Sequence, residues 1–295
     1  MRIQPALTLL ACALALAGCR TITLPVPVPA PPAAMATAPA NDNLNAVVWM
    51  QRTAEYRANC ETVYRAATAR LDALLKDRTE SAIVPGERPV DARRLPPAVV
   101  LDIDETVLDN SPFQARLVAA NADYSDPSFD AWVREAHARA VPGALAFTQA
   151  AAKKGITVFY ISNRTVQQRA PTLANLRALG FPVKNDDVVL GLGTVVPGCD
   201  GTGSEKLCRR RLVGSKYRVL MQFGDQLGDF LRIDTNTPDA RQALADTHAG
   251  WWGDRWFALP NPSYGSWEPA LFNNDWKQPR DARRKLKREA LDLRP

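Results

Sequence analysis

Histidine is nearly absent from this chain of 295 residues: only His137 and His248 occur. Neither stands in a metal-ligand spacing or in an Arg-His-Gly setting, so both read as structural. That sets aside His-ligated metal centres and phosphohistidine chemistry. The five cysteines do not offer a thiol mechanism either, since none has an arginine six residues later. Leu7–Leu16 is apolar but too short to cross a bilayer as a permanent helix. Strong charge of one sign is also missing. The net charge is +6, and residues 280–295, with seven basic and three acidic side chains, carry +4 of it, leaving +2 for the rest. Such a local excess reads as a solvated helix end, with an anionic membrane surface as the weaker reading, and no nucleic-acid partner is expected.

What is present is ordinary globular material, 46% hydrophobic and 23% charged, enough for a full core. The N-terminal end differs. Arg2 precedes the apolar stretch, which closes in Leu16-Ala17-Gly18-Cys19, a sequence that resembles a bacterial lipobox. The expectation is a lipoprotein signal peptide over 1–18, with Cys19 lipidated as the membrane anchor. Arg20 stands where an inner-membrane retention signal has Asp. The expected location is therefore the outer membrane, with periplasmic and surface-facing orientations both open. Residues 19–40 form a tether in which Pro25, Pro27, Pro29, Pro31 and Pro32 favour extended backbone. Cys12 would leave with the leader. In an oxidising compartment Cys199 and Cys208, across a glycine-rich loop, are candidates for a disulfide. Cys60 is expected buried in a helix.

The remainder, 41–295, reads as one α/β domain. A helical pattern without Pro or Gly runs from Asn41 to Asp77. Ala98–Leu101, Ile156–Ile161, Val188–Leu192 and Tyr217–Phe223 are short apolar runs with the character of buried strands. Helical stretches separate them, including 144–154, a segment ending at Leu179, and 204–213. This alternation predicts a doubly wound parallel sheet. An insertion over about 110–141, bearing Phe113, Phe129 and Trp132, predicts a small helical cap above the first strand's end.

That strand runs directly into Asp102-Ile103-Asp104-Glu105-Thr106. On extended backbone alternate side chains share a face, so Asp102 and Asp104 point one way. Two carboxylates so close resist joint ionisation unless a cation intervenes. The location suits a ligand, because open α/β sheets bind ligands outside the carboxyl ends of their strands. Ser162 follows the second strand, and Gly224-Asp225 and Asp229 follow the fourth. Together they describe a site for Mg²⁺, which takes oxygen ligands, and for a phosphate. Two lysines compete for the neighbouring cation. Lys206 falls in the first turn of a crossover helix, at the carboxyl edge of the sheet, whereas Lys216 falls just before a strand, at the opposite edge. The geometry prefers Lys206.

Asp102-Ile-Asp-Glu-Thr, Ile161-Ser162-Asn163-Arg164, Ser204-Glu-Lys206 and Gly224-Asp225-x-x-x-Asp229-Phe230 resemble the four motifs of the haloacid-dehalogenase superfamily. The lipobox, the helix around Asn45-Ala-Val-Val-Trp49 and the run Leu259-Pro-Asn-Pro-Ser-Tyr264-Gly-Ser-Trp267-Glu268 narrow the resemblance to class C acid phosphatases. It implies Asp102 as nucleophile, Asp104 as general acid and base, and Lys206 and Ser162, with Asn163, as phosphate holders. It further implies Mg²⁺ held by Asp102, the main-chain carbonyl of Asp104, Asp225 and Asp229, and Phe129 and Tyr264 beside a nucleoside or aryl leaving group. Small phosphomonoesters are the implied substrates, 5′-nucleotides and aryl phosphates among them. Gln226 departs from the pattern, which often has Asn there. The sequence leaves phosphotransfer to another alcohol, a non-catalytic binding lipoprotein and a homodimer as open alternatives.

Overall fold

Residues 41–201 and 203–294 are described by the computed structural model. The expected signal peptide, Cys19 and the tether lie outside the described residues. In chain order the elements are α1 (Leu44–Arg52), α2 (Ala54–Lys76), β1 (Pro97–Leu101), β2 (Leu108–Asp109), α3 (Ser111–Ala120), α4 (Asp126–Glu135), β3 (Arg139–Ala140), α5 (Ala144–Lys153), β4 (Thr157–Thr165), α6 (Arg169–Ala178), β5 (Val189–Leu192), α7 (Leu207–Gly214), β6 (Arg218–Gly224), α8 (Pro238–Thr247), β7 (Trp256–Ala258) and α9 (Arg280–Glu289).

The alternation of strand and helix yields a five-stranded sheet in the order β5-β4-β1-β6-β7, every pairing parallel. From β1 the chain works outward through β4 to β5, and from β6 it works outward the other way to β7. The connections therefore diverge at β1 and β6, the switch point where such sheets bind ligands. Leu101 is in register with Tyr160 on one side and Phe223 on the other. Asp102 thus leaves the sheet between the ends of β4 and β6, and its N–H donates to Phe223 O at 2.9 Å. The fifth strand, β7, is too short to have shown in the hydrophobic pattern.

The expected single helix over 41–77 is two. Thr53, extended at φ −104°, ψ 146°, caps α2 by accepting the Tyr56 N–H, while its own N–H donates to Trp49 O. A threonine that bonds the backbone locally offers it an alternative to continuing the helix. Beyond the break, Cys60, Tyr64, Ala67, Leu71 and Leu74 are buried at alternating spacings of four and three, a stripe that lies on the sheet. Tyr64 donates its hydroxyl to Thr106 O at 2.7 Å and stacks on Phe223 at 5.4 Å, supporting the turn after β1 from below. Cys60 is free and buried, and Cys199 and Cys208 are bonded.

β2 and β3 pair antiparallel, Leu108 with Ala140 and Asp109 with Arg139, and close the neck from which α3 and α4 project. His248 donates from Nδ1 to Leu244 O and packs on Trp251 and Trp256, a structural role. His137 is exposed.

Two buried arginines lock elements that the hydrophobic pattern cannot join. Arg218, opening β6, donates to Leu74 O, Asp77 O and Leu75 O, satisfying the carbonyls that end α2. Arg210, on α7 and fully buried, holds Glu87 through two bonds of 2.9 Å and donates to Gly228 O. It ties the loop before β1 to the loop after β6. Arg210→Met should cost about 3–5 kcal/mol, because it strands a buried carboxylate, read as a fall in the urea midpoint. Glu87→Gln/Arg210→Met should recover much of that loss, since no charge is left unpaired. A double variant no more stable than the single would show that packing, not charge, dominates there.

Candidate active site

Five loops at the carboxyl edge of the sheet bring the expected side chains together. Asp102 follows β1 directly and is 5% exposed. Its Oδ1 accepts from Lys206 Nζ at 2.5 Å and its Oδ2 from Thr106 Oγ1 at 3.2 Å. The same ammonium donates to Asp229 Oδ1 at 2.6 Å. Lys206 is therefore the lysine of the site, and Lys216 is exposed in the turn before β6. One detail differs from expectation. α7 begins at Leu207, so Lys206 is the residue preceding the helix rather than part of its first turn. The cystine formed with Cys208 joins this helix start to Cys199 in the loop preceding it.

Asp225 and Asp229 come from the turn after β6. Asp229 is drawn back beneath Gly224, where a Cβ would sit 2.2 Å from its Oδ2, so the turn requires glycine. Its Oδ2 also accepts the Gln226 N–H at 2.9 Å. Asp225 Oδ2 accepts from Asn261 Nδ2 and from Gln226 Nε2, each at 2.8 Å. Gln226 thus spans from Asp225 to the segment after β7, donating to Tyr264 O and accepting the Ser266 N–H. Among the described residues, Asp102, Asp225 and Asp229 present carboxylate oxygens within 4.8 Å of one another, a set that can hold a metal ion.

Asp104 points elsewhere. Its Oδ1 accepts from Arg164 Nε at 2.9 Å and from Asn110 Nδ2 at 2.8 Å, and its Oδ2 from Ser162 Oγ at 3.0 Å. The two aspartates of the turn are separated electrostatically as a result. Burial pushes Asp102 well above the usual carboxylate range, and Asp229, Asp225 and Asp104 add to this against the opposing pull of Lys206. Burial acts on Asp104 too, but the Arg164 charge and the bonds from Arg164, Asn110 and Ser162 outweigh it and hold the group below its usual value. Asp225 is raised to about 7 by burial and by Asp229. Lys206, although burial disfavours its charge, is held above its ordinary value by Asp102 and Asp229.

The charge balance favours a cation. With all four ionised, Asp102, Asp104, Asp225 and Asp229 would set four negative charges against Lys206 and Arg164 and leave two uncompensated, which is what keeps Asp102 and Asp225 raised without a further cation. An all-oxygen donor set with that deficit fits a hard divalent ion. Asp104's carboxylate is committed to its three donors, so only its main-chain carbonyl is left for that role.

Of the remaining expected residues, Ser162 is fully buried and, besides donating to Asp104, accepts the Arg164 N–H. Asn163 is exposed, and its Oδ1 accepts from Arg209 at 2.8 Å. Tyr264 donates its hydroxyl to Glu105. Phe129 is half-buried in the cap beside Phe113 and Tyr124, with the Arg164 guanidinium 5.8 Å from its ring centre. Among the described residues no ring contact joins Phe129 to Tyr264.

Three contributors were not read from the sequence as participants. Arg164 stood inside a quoted motif but was given no role. Arg209 donates to Ser162 O at 2.5 Å and to Glu205 O at 2.9 Å, binding the loop of Ser162 to that of Lys206. Burial lowers its pKa to about 10. Tyr124 is the exposed aromatic of the cap, at 56% exposure. Its hydroxyl is pushed above the ordinary value by partial burial, by Asp126 and, least, by Asp104.

Comparison with known proteins meets this geometry. A class C acid phosphatase from Bacillus anthracis, solved with tungstate bound, superposes with a TM-score of 0.74 at 32% identity, covering 86% of this chain and 98% of that one. A second structure of the Bacillus anthracis class C acid phosphatase gives a TM-score of 0.73 at 30% identity, with the same coverage. Among curated proteins, acid phosphatase 1 of Solanum lycopersicum is 27% identical over 165 residues, and the stem 31 kDa glycoprotein of Glycine max is 26% identical over 165. Those matches cover 56% of this chain and 57% and 58% of the plant proteins, a little over half their length. The family model for HAD superfamily, subfamily IIIB (acid phosphatase), matches residues 10–267. With that match over most of its length, the chain belongs to subfamily IIIB of the HAD superfamily, the acid phosphatases.

Proposed function

We propose that the chain is a Mg²⁺-dependent acid phosphatase that hydrolyses phosphomonoesters through an aspartyl-phosphate. The observation carrying this reading is the separation of two aspartates one residue apart: Asp102 lies against Lys206 among the metal-capable carboxylates, while Asp104 is held clear of them by Arg164, Asn110 and Ser162. A carboxylate set beside a fixed ammonium and inside a metal-capable cluster suits attack on phosphorus, and one held outside that cluster by its own donors is placed to serve the leaving oxygen.

Asp102 attacks phosphorus, and the bond to the leaving oxygen breaks as Asp104, which enters the step carrying the proton it takes from water in the previous turnover, delivers it to that oxygen. Asp104, now the carboxylate that its three donors favour, draws a proton from water. The water attacks phosphorus, the bond to Asp102 breaks and phosphate leaves. Lys206 carries positive charge at the transferring group through both steps. A Mg²⁺ ion held by Asp102, Asp225, Asp229 and the Asp104 carbonyl would, when bound, neutralise phosphoryl charge. Asn261 and Gln226 orient Asp225 for that task. Tyr264, bonded to Glu105, and Tyr124, exposed on the cap with Phe129 against it, are the aromatics we assign to the leaving group. 5′-Nucleotides and aryl phosphates are the substrates this suggests. The proposal extends to location: an outer-membrane lipoprotein anchored at Cys19. Among the described residues no helix is long and apolar enough to cross a membrane.

Asp102→Asn should abolish turnover while preserving the fold, because the amide keeps the shape and loses the nucleophile. Beryllofluoride should trap on Asp102 of the unmodified protein, and near-normal activity in the variant would sink the mechanism. Excess EDTA should remove activity and Mg²⁺ should restore it. Mg²⁺ should also raise the melting temperature, since an ion that binds only the folded state stabilises it.

Lys206→Ala should slow turnover by about 10²-fold or more, and Lys216→Ala should leave it near normal. The reverse ranking would place the catalytic cation elsewhere. Tyr264→Ala and Tyr124→Ala should each weaken kcat/KM for aryl phosphates and nucleotides by about ten- to a hundredfold, the scale of ~1–3 kcal/mol of stacking per base. Small aliphatic phosphates should be affected less by Tyr124→Ala, because the Tyr264 hydroxyl, not that of Tyr124, is bonded to Glu105. Equal losses on all substrates in that variant would mean that its ring serves packing alone.

A further inference from the structure

Glu105 stands between the paired aspartates and Thr106, and the mechanism above gives it nothing to do. Its backbone is in the left-handed region at φ +58°, uncommon for a residue other than glycine, and its side chain is fully buried. A conformation of that kind persists where its surroundings over-determine it. Here the Glu105 N–H donates to Leu108 O at 2.8 Å. Its Oε1 accepts the Asn110 N–H at 2.7 Å, and its Oε2 accepts the Tyr264 hydroxyl.

Asn110, 1% exposed, then uses both ends of its amide. Nδ2 donates to Asp104 Oδ1 at 2.8 Å and lies 3.4 Å from Glu105 Oε2. Oδ1 accepts the Trp132 indole N–H at 2.7 Å and an Arg164 N–H at 3.3 Å. An unbroken chain of hydrogen bonds therefore runs from Tyr264, in the segment after β7, through Glu105 and Asn110 to Asp104, with a branch to Trp132 in the cap. It joins the segment after β7, the turn after β1 and the cap.

We propose that Glu105 and Asn110 are positioning residues that set the aromatic wall and the proton-donating carboxylate as one unit: Asn110 aims Asp104 at the leaving oxygen, and Glu105 anchors Tyr264 to the same frame. The inference rests on the reading of Asp104 as the proton donor. A displaced Asp104 harms expulsion of a basic leaving group most, because a weakly basic phenolate departs without a proton. The signature is thus a change in leaving-group dependence, which mere loss of stability does not produce.

The experiment uses the full chain with Mg²⁺ and a series of substituted phenyl phosphates, in which every leaving group is aromatic and only its basicity varies. The quantity read is kcat/KM, which reports the steps through the first phosphoryl transfer. Asp104→Asn provides the benchmark for a steepened dependence. Asn110→Ala should steepen it likewise, costing phenyl phosphate about tenfold more than p-nitrophenyl phosphate. Glu105→Gln and Tyr264→Phe should steepen it less. Their combination should be no worse than the larger single effect, because both cut the same link. Tyr264→Phe removes one hydroxyl and keeps the ring, so the test stands even if Asn110→Ala folds poorly. Parallel losses across the series in Glu105→Gln and Tyr264→Phe, beside a steepened Asp104→Asn, would overturn the positioning role alone. An unchanged slope in Asp104→Asn would overturn the proton-donor reading and this inference with it.

Discussion

Like-charge crowding at the end of β1 is the constraint around which the rest of this molecule is arranged. Asp102, Asp104, Asp225 and Asp229 converge on a volume that water scarcely reaches, and buried carboxylates without partners are prohibitively costly. Each has its own remedy. Lys206 bridges Asp102 and Asp229, Arg164 takes Asp104, and the Asn261 and Gln226 amides take Asp225. The arginines further out serve the same end indirectly. Arg209 binds the Ser162 loop to the Lys206 loop, and Arg210 binds the Asp229 loop to Glu87. A parallel sheet gathers strand ends along one edge, but it does not fix loops to one another. Charge does that here.

How far this was legible in the sequence follows from which forces leave a local pattern. Buried strands are short apolar runs, so four of the five strands could be read, and with them the polar residues at their ends: Asp102, Ser162 and Asp225. The edge-of-sheet argument separated Lys206 from Lys216 without any contact being known. Thr53 was missed because a capping hydroxyl looks the same as a solvent-facing one until its partner is seen. β7 was missed because three residues carry no period. Arg164, Arg209, Arg210 and Arg218 were missed for a shared reason. An arginine that ends in a carbonyl or carboxylate far along the chain has no sequence neighbour to announce it, and surface arginines are far commoner.

The basic tail shows the same limit at the level of net charge. The sequence reads residues 280–294 as a solvated cationic end. In the fold, α9 turns most of that charge inward. Arg280 donates to Asn121 and pairs with Asp123 at the end of the cap helices, Arg284 reaches Asp42, and Lys287 reaches Glu268. Arg283 lies over the rings of Phe272 and Trp276. The side chains left outward, Asp281, Lys285, Arg288 and Glu289, are two acids and two bases. Individually such half-exposed pairs are worth little, about 0–1 kcal/mol. Their placement matters more, because they join the start of the domain, the cap and the segment behind Tyr264 along one helix.

That joining bears on how a small cap can serve a precise site. α3 and α4 stand on a neck of only two paired strands, and a neck that narrow does not hold an aromatic wall in register with a carboxylate below it. Two restraints act from different sides. From within, Trp132 is tied through Asn110 to Asp104 and Arg164. From without, α9 holds the far end of α3 at Asn121. Both restraints oppose rotation of the cap about its neck. On the proposed reading, discrimination among phosphomonoesters would then rest with the rings assigned to the leaving group, Tyr124 and Tyr264, while the carboxylates stay indifferent to what the phosphate is attached to.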